Sequence, residues 1–263
     1  MRPGMITLTW TSMNIDAYIN HIHSGLKKLE ALVSNINDII ENRIEKNLKV
    51  VSKTLLVDLP ENSSFIVSEF VSMQQSHIVA RSRLLQSKNT EIEHAVNDLV
   101  QKIVSYRLEG PFDSVSKDDV NKLCRHYNHF MYQSLLHSAK ISMNSLKKRI
   151  GSRGGVTMLS SSKPFFDVDV QLMPPRVSLS PSLDEIQECI NQSAQAVLKC
   201  YKTVADWGFS SQAEDVKSSY TFFERMTKDV ELVRVALLLT GCIQGIRNTV
   251  ADYLNSFTKV RET

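Results

Sequence analysis

Three side chains near the middle of the chain, Cys124, His126 and His129, are the nearest this sequence comes to a metal-ligand set. Thiolate and imidazole are common zinc ligands, and a three-residue step puts His126 and His129 on one helix face. Structural zinc normally takes paired ligands at tight spacing, and no second local pair accompanies these. They read as surface histidines beside one buried cysteine. Gly151, Gly154 and Gly155 invite a phosphate cradle, but neither the lysine of GxxxxGK[ST] nor an opening helix follows them. A linker is the expectation there. No GxSxG elbow presents a nucleophilic serine. Asp184 and Glu185 sit in a helix first turn, where the dipole and the cap account for both carboxylates. Lys147, Lys148, Arg149 and Arg153 gather at a helix C-terminus, favoured by the same dipole, without the interleaved aromatics of a nucleic-acid surface. Gly241 and Gly245 form a GxxxG whose expected use is close helix packing. No residue is therefore assigned a catalytic, cofactor-binding or metal-binding role. The chain is expected to be no enzyme and to need no cofactor.

Bulk properties agree. Of 263 residues, 42% are hydrophobic and 22% charged, ordinary for a folded protein. A net charge of +3 is too small to argue for nucleic-acid or membrane attraction, so neither partner is expected. Cys124, Cys189, Cys200 and Cys242 are widely spaced without a CxxC pair, which suits a reducing compartment. Residues 1–10 lack the layout of a signal peptide. The most apolar run, 235–243, falls short of the roughly 20 residues needed to span a bilayer. A soluble intracellular protein is the expectation.

The elements are mostly long helices. The first is expected over about 14–56, with Ile15, Ile19, Ile22, Leu26, Leu29, Val33, Ile36 and Ile40 stepping alternately by four and three, a heptad seam. After Ile40 the steps to Ile44 and Leu48 are both four, so the phase slips as in a stutter. Glu45 and Lys49 stand in the favourable order for an i,i+4 ion pair. Leu59-Pro60 ends the helix. A second helix is expected over about 64–108, with an interruption expected at the polar residues 86–90. A third begins at a Ser116 cap, with Asp119 as its N3 acid, and runs to Ile150.

Residues 151–163 read as a Gly/Ser linker. In 165–172, Phe166, Val168, Val170 and Leu172 alternate with Asp167, Asp169 and Gln171, the period of a half-buried strand. This is expected to be a docking edge between helical bundles. Pro174 and Pro175 stop it, and Val177 and Leu179 mark a second short extended piece. Ser182 with Glu185 is a capping box opening a helix toward Trp207-Gly208. A polar stretch over 210–219 precedes a last helix from Ser219 or Thr221 to Lys259.

The fold class expected is all-α: elongated bundles of long antiparallel helices with a short β insertion near 165–180. Three parts follow: a helical bundle over 1–150, a linker and strand joint over 151–181, and a second helical segment over 182–263.

Several runs resemble one family. Pro3-Gly4-Met5-Ile6-Thr7-Leu8-Thr9-Trp10-Thr11-Ser12 followed by Asn14-Ile15-Asp16 is similar to a "PGL-TLNWTS-NID" run in the stem of dynein heavy chains, particularly the axonemal kind. Glu41-Asn42-Arg43-Ile44-Glu45-Lys46-Asn47-Leu48, Ser52 to Leu56 and Glu69-Phe70-Val71 continue the resemblance. So do the 165–172 run, Pro181-Ser182-Leu183-Asp184-Glu185-Ile186-Gln187 and Trp207-Gly208. Leu237 to Thr240, Gln244-Gly245 and Tyr253 to Phe257 complete it, so that it covers nearly the whole chain.

The resemblance implies a tail (stem) segment preceding the linker and the ring of ATPase modules, in which the chain would run on beyond Phe257 toward the linker. It implies dynein intermediate and light chains and other heavy chains as partners, with microtubules reached only through the full complex. It also implies residence in the cytoplasm and cytoskeleton, in the axoneme of a cilium or flagellum. The family's phosphate-binding loops, stalk and microtubule-binding tip have no counterpart here, so ATP hydrolysis does not carry over. The role implied is structural: holding associated chains and transmitting load. The alternative is a coiled-coil adaptor or scaffold self-associating through the Ile15–Ile40 seam.

Overall fold

The computed structural model describes residues 15–60, 63–108, 116–151, 165–173, 176–204 and 226–261. Helix α1 spans Ile15–Asp38 and passes through a π-helical segment, Ile39–Glu45, into α2, Lys46–Lys53. Helices α3 (Val67–Leu108) and α4 (Lys117–Gly151) follow, then strands β1 (Asp169–Met173) and β2 (Arg176–Ser180). Helix α5 is Leu183–Lys199, closed by a 3-10 turn at Cys200–Thr203, and α6 is Val230–Arg261. The architecture is all-α with one small hairpin, as the periodicities indicate.

The π segment lies where the heptad phase slips. Ile39 and Ile44 are both buried although five residues apart, and i→i+5 bonding brings such a pair toward one face. The Lys46 N–H donating to the Glu41 carbonyl is one of those bonds. The first helix thus absorbs its stutter as a local widening and then stops at Lys53, three residues before Leu56. Thr54, Leu56, Val57 and Leu59 are buried in non-helical backbone instead.

No break occurs at 86–90, because α3 is continuous through these polar residues. Asn89 is buried, and Lys88 reaches Glu91 at 2.7 Å, so side chains that resemble a loop in composition are taken up by the helix.

Two compact units divide the chain. In the first, which holds residues 1–50 and 88–131, the buried positions are Ile39 and Ile44, then Ile92, Ala95, Val96 and Leu99 of α3, and Cys124, Tyr127 and Met131 of α4. Helical spacing keeps the α3 set and the α4 set each on one helix face. Arg43 reaches Asp98 at 2.6 Å and so links the π segment to α3.

The second unit holds 51–87 and 132–208 and continues from 217. Its core takes Leu135, Ala139, Met143, Leu146 and Ile150 from α4, Phe70 and Leu85 from α3, and Ile190 and Val197 from α5. Each fully buried large aliphatic or aromatic side chain contributes about 1.5–3 kcal/mol relative to exposure.

Local signals place the ends. Ser182 and Glu185 close the capping box: the Glu185 N–H donates to Ser182 Oγ, and the Ser182 N–H to Glu185 Oε2 at 2.8 Å. Ser116 accepts from the Asp119 N–H at 3.1 Å. The 165–172 run is not one strand: Phe166 makes an isolated parallel bridge with Phe65, and regular pairing starts at Asp169. The hairpin pairs Val170 with Leu179 and Leu172 with Val177, and the Ser180–Pro181 bond after it is cis. Val170 is exposed rather than half-buried. Helix α6 begins at Val230, with Asp229 Oδ1 accepting from the Leu232 N–H at 3.0 Å. Helix α5 stops short of the expected Gly208: it ends at Lys199, and after the 3-10 turn Val204 is extended. The last helix, expected to run unbroken from 219 or 221, is interrupted within its described part, because Lys228 and Asp229 are not helical and α6 starts at Val230. Residues 152–163 and 205–225 lie outside the described residues.

Candidate functional site

The residues best suited to chemistry do not assemble. Cys124 is buried, and burial raises its thiol pKa, while His126 and His129 are exposed on the same helix. The His126 ring stands edge-on to Phe130 at 4.6 Å, an aromatic packing role. Among the described residues no group of three His, Cys, Asp or Glu side chains is placed to hold a metal ion. Glu185 is used by the cap, and Asp184 pairs with Arg247 at 3.1 Å. Burial lifts the Cys189 and Cys200 thiols to about 11, which leaves them protonated and poorly nucleophilic near neutrality.

Arg149 has a role that its place in the basic cluster does not suggest. Lys148 beside it is exposed, but Arg149 is buried. Its Nη2 donates to the Ser63 carbonyl at 2.6 Å, and its guanidinium lies 5.5 Å from the centroid of the Phe165 ring. Phe165 and Phe166 pack edge-on against Phe70, at 5.2 and 5.3 Å between centroids. The Phe65 N–H donates to the Phe165 carbonyl, and the Asp167 N–H to the Phe65 carbonyl, both at 3.1 Å. The extended run docks by its first residues, on Phe65 and Phe70. The cation–π contact, worth about 0.5–2 kcal/mol, fastens α4 to that aromatic cluster.

A second feature is a buried relay of hydroxyls. Ser138 Oγ donates to the Thr54 carbonyl at 2.6 Å and lies 3.1 Å from the Tyr201 hydroxyl, which donates to it. One turn on, Ser142 Oγ donates to the Ser138 carbonyl and accepts from the Leu56 N–H at 2.9 Å. Burial pushes the Tyr201 hydroxyl well above the usual phenol range, so it stays a neutral donor. The relay satisfies the polar backbone freed where α2 stops and pins it to α4 and the 3-10 turn. Periodicity reasoning overlooks these residues, although serines at 138 and 142 within an apolar stripe are a visible anomaly.

Two helix faces remain uncovered among the described residues. Helix α1 has no buried residue, and Ile19, Leu26, Leu29 and Val33 of its seam are exposed, Leu26 by 51%. On α6, Val230, Val233, Leu237 and Leu238 are exposed. No described atom lies within 4 Å of a Cβ built on Gly241 or Gly245, so the GxxxG is not used for close packing here. No helix among the described residues is long and apolar enough to cross a membrane.

Comparison with known proteins gives one consistent answer. No protein-family model matches the chain. The chain is 38% identical over 257 residues to the dynein gamma chain of the flagellar outer arm of Chlamydomonas reinhardtii, an alignment covering 98% of this chain. It is 24% identical to mouse dynein axonemal heavy chain 5 over 79% of its length, and 25% identical to mouse dynein axonemal heavy chain 8 over 99%. The alignments take in only 6–7% of the length of these relatives.

Proposed function

The chain belongs to the axonemal dynein heavy-chain family, and from that premise we propose that it is a structural and interaction segment of the tail. Its setting is the cytoskeleton, in the axoneme of a cilium or flagellum. In this reading the segment lies before the linker, holds intermediate and light chains and other heavy chains, and transmits load. It has no motor activity of its own and meets microtubules only through the complete complex.

The observation that carries the reading is the unbroken similarity to an outer-arm heavy chain over 98% of the segment. The internal design is compatible with load bearing. Sliding one long helix past another is opposed by the stripes of buried aliphatic residues packed along their length. Affinity purification of the tagged chain from ciliated cells tests the proposal. Intermediate, light or heavy dynein chains are expected in the eluate, and an eluate without any dynein subunit overturns it. Purified chain is expected to show no ATP turnover above buffer.

The uncovered seam of α1 favours a second reading, a coiled-coil scaffold that associates with itself. Sedimentation over a range of concentrations separates the two. A homodimer abolished by Ile22→Asp and Leu29→Asp supports self-association; a monomer throughout removes it.

A further inference from the structure

Between the N-terminal half of α3 and α5, both in the second unit, lies a groove of about 740 Å³. Its α3 wall presents Val71, Gln74, Ile78 and Val79, and its other wall Cys189 and Ala196 of α5 with Cys200 of the following 3-10 turn. Val71 and Val79 are exposed large apolar side chains, whereas Gln74 is only 3% exposed. Both carboxamide atoms of Gln74, Oε1 and Nε2, are enclosed without a hydrogen-bond partner. A buried amide is almost always satisfied, and Gln74, on the groove wall, has both donor and acceptor unmet by the described residues. For a partner to reach this carboxamide, the Gln74 side chain, with three rotatable torsions, has to turn toward the groove. Arg83 and Lys199, also on the groove, are exposed and have no carboxylate partner among the described residues; against these two cations the lining sets one carboxylate, Glu188, which accepts from Gln192 at 2.9 Å.

We propose that this α3–α5 groove is a docking site for an amphipathic helix of another polypeptide. That helix lays an apolar stripe over Val71 and Val79, sets an Asn or Gln side chain against Gln74, and carries acidic residues toward Arg83 and Lys199.

Each part of that description follows from the lining. Residues 71, 74, 75, 78, 79, 82 and 83 of α3, and 188–199 in the same steps on α5, form ridges three and four apart over about three turns. Such ridges receive the ridge of a third helix and its i, i+3, i+4, i+7 anchors. A carboxamide offers a donor and an acceptor on separate atoms, matching the two unmet atoms of Gln74 together. The unpaired cations set the charge of the partner's flanks. The uncovered α1 seam of this chain does not fit, because it contains only aliphatic residues. The site is defined without reference to where in a heavy chain the segment lies.

The test uses the whole 263-residue chain and fluorescein-labelled model helices of roughly 20 residues, a length that supports isolated helicity. One carries Leu/Ala heptads with a single central Asn in the stripe and flanking glutamates. A second replaces the Asn by Leu, and a third replaces the glutamates by lysines. Anisotropy titration is expected to give binding of the Asn–Glu helix about tenfold tighter than of either variant. Gln74→Met is expected to erase the preference for Asn without lowering thermal stability, and Val79→Glu to weaken every peptide. No binding by any peptide, equal binding of the Leu version, or an Asn preference that survives Gln74→Met overturns the proposal. So does a homodimer of the chain lost on Gln74→Met, which would make the occupant a second copy.

Discussion

Helix α1 and the second half of α4 both carry long apolar stripes, and they end in opposite environments. In α4, Leu135, Ala139, Met143 and Leu146 are buried to within 1% of completeness. In α1, Leu26, Leu29 and Val33 keep between 42% and 51% of their surface. The α1 stripe is the more regular of the two. It follows strict heptad steps with only aliphatic residues, whereas the α4 stripe is interrupted by Ser138 and Ser142. Regularity of pattern therefore does not measure burial. A stripe states that a helix has a face to cover; what covers it depends on residues far away in sequence. For α4 these are Thr54, Leu56 and Tyr201, and the two serines that spoil the pattern are the residues that bond to them.

The contrast predicts unequal responses to the same truncation. Leu135→Ala in α4 is expected to lower unfolding stability by about 2–5 kcal/mol, the range for a buried leucine that leaves a cavity. Urea titration measures it, and a loss below about 1 kcal/mol would deny that this stripe is core. Next in size comes the hydroxyl relay. Ser142→Ala leaves the buried Leu56 N–H without its acceptor, which is expected to cost about 1–3 kcal/mol. Ser142→Thr, retaining the hydroxyl, should recover part of it.

The extent to which the fold can be read in advance follows the same division. Helix existence, the Ser116 and Ser182 caps, the Glu45–Lys49 pair at 3.4 Å and the extended pieces after 165 are local in cause, and each follows from spacing or from a short motif. The phase slip after Ile40 is also local, and it emerges as the π segment at Ile39–Glu45. Non-local features escape. The burial of Arg149 depends on Ser63 and Phe165, and nothing near position 149 announces them. The continuity of α3 through 86–90 depends on Asn89 finding a buried place. Gln74 sits four residues from both Phe70 and Ile78 in an otherwise apolar row, a signal that only the enclosed, unpartnered amide makes meaningful.

Alkaline pH offers a milder probe of the second unit. Cys189 and Cys200 have pKa values raised by burial from 9.0 to about 11, so the unfolded chain loses these protons first. The resulting stability is complete below pH 9 and is lost as pH climbs through about 11, because ionisation then favours the unfolded chain. Near pH 10 the loss is expected to be on the order of 1 kcal/mol per thiol, measured by urea titration against pH 8. The double variant Cys189→Ala and Cys200→Ala should flatten that dependence whatever its absolute stability. A slope unchanged by the double substitution would place its origin elsewhere, with Tyr201 the next group to test, since its pKa is raised in the same direction.

The smallest effect belongs to α1. Leu26→Ala removes a side chain already 51% exposed, with no buried neighbour on its own helix, so the expected change in unfolding stability is within about 0.5 kcal/mol. The substitution also exchanges a residue of good helix propensity for the best one, which offsets part of the lost contact. A larger loss in isolated chain would mean that the α1 seam is covered in solution. Its dependence on protein concentration would then separate a second copy from an intramolecular cover, because only association makes stability rise with concentration. The same substitution made in a complete heavy chain has a different expectation: if the rest of that chain closes over this seam, Leu26→Ala there should cost as much as a core truncation. The α4 stripe offers no such divergence, since its partners lie within the segment and Leu135→Ala should cost the same in either setting.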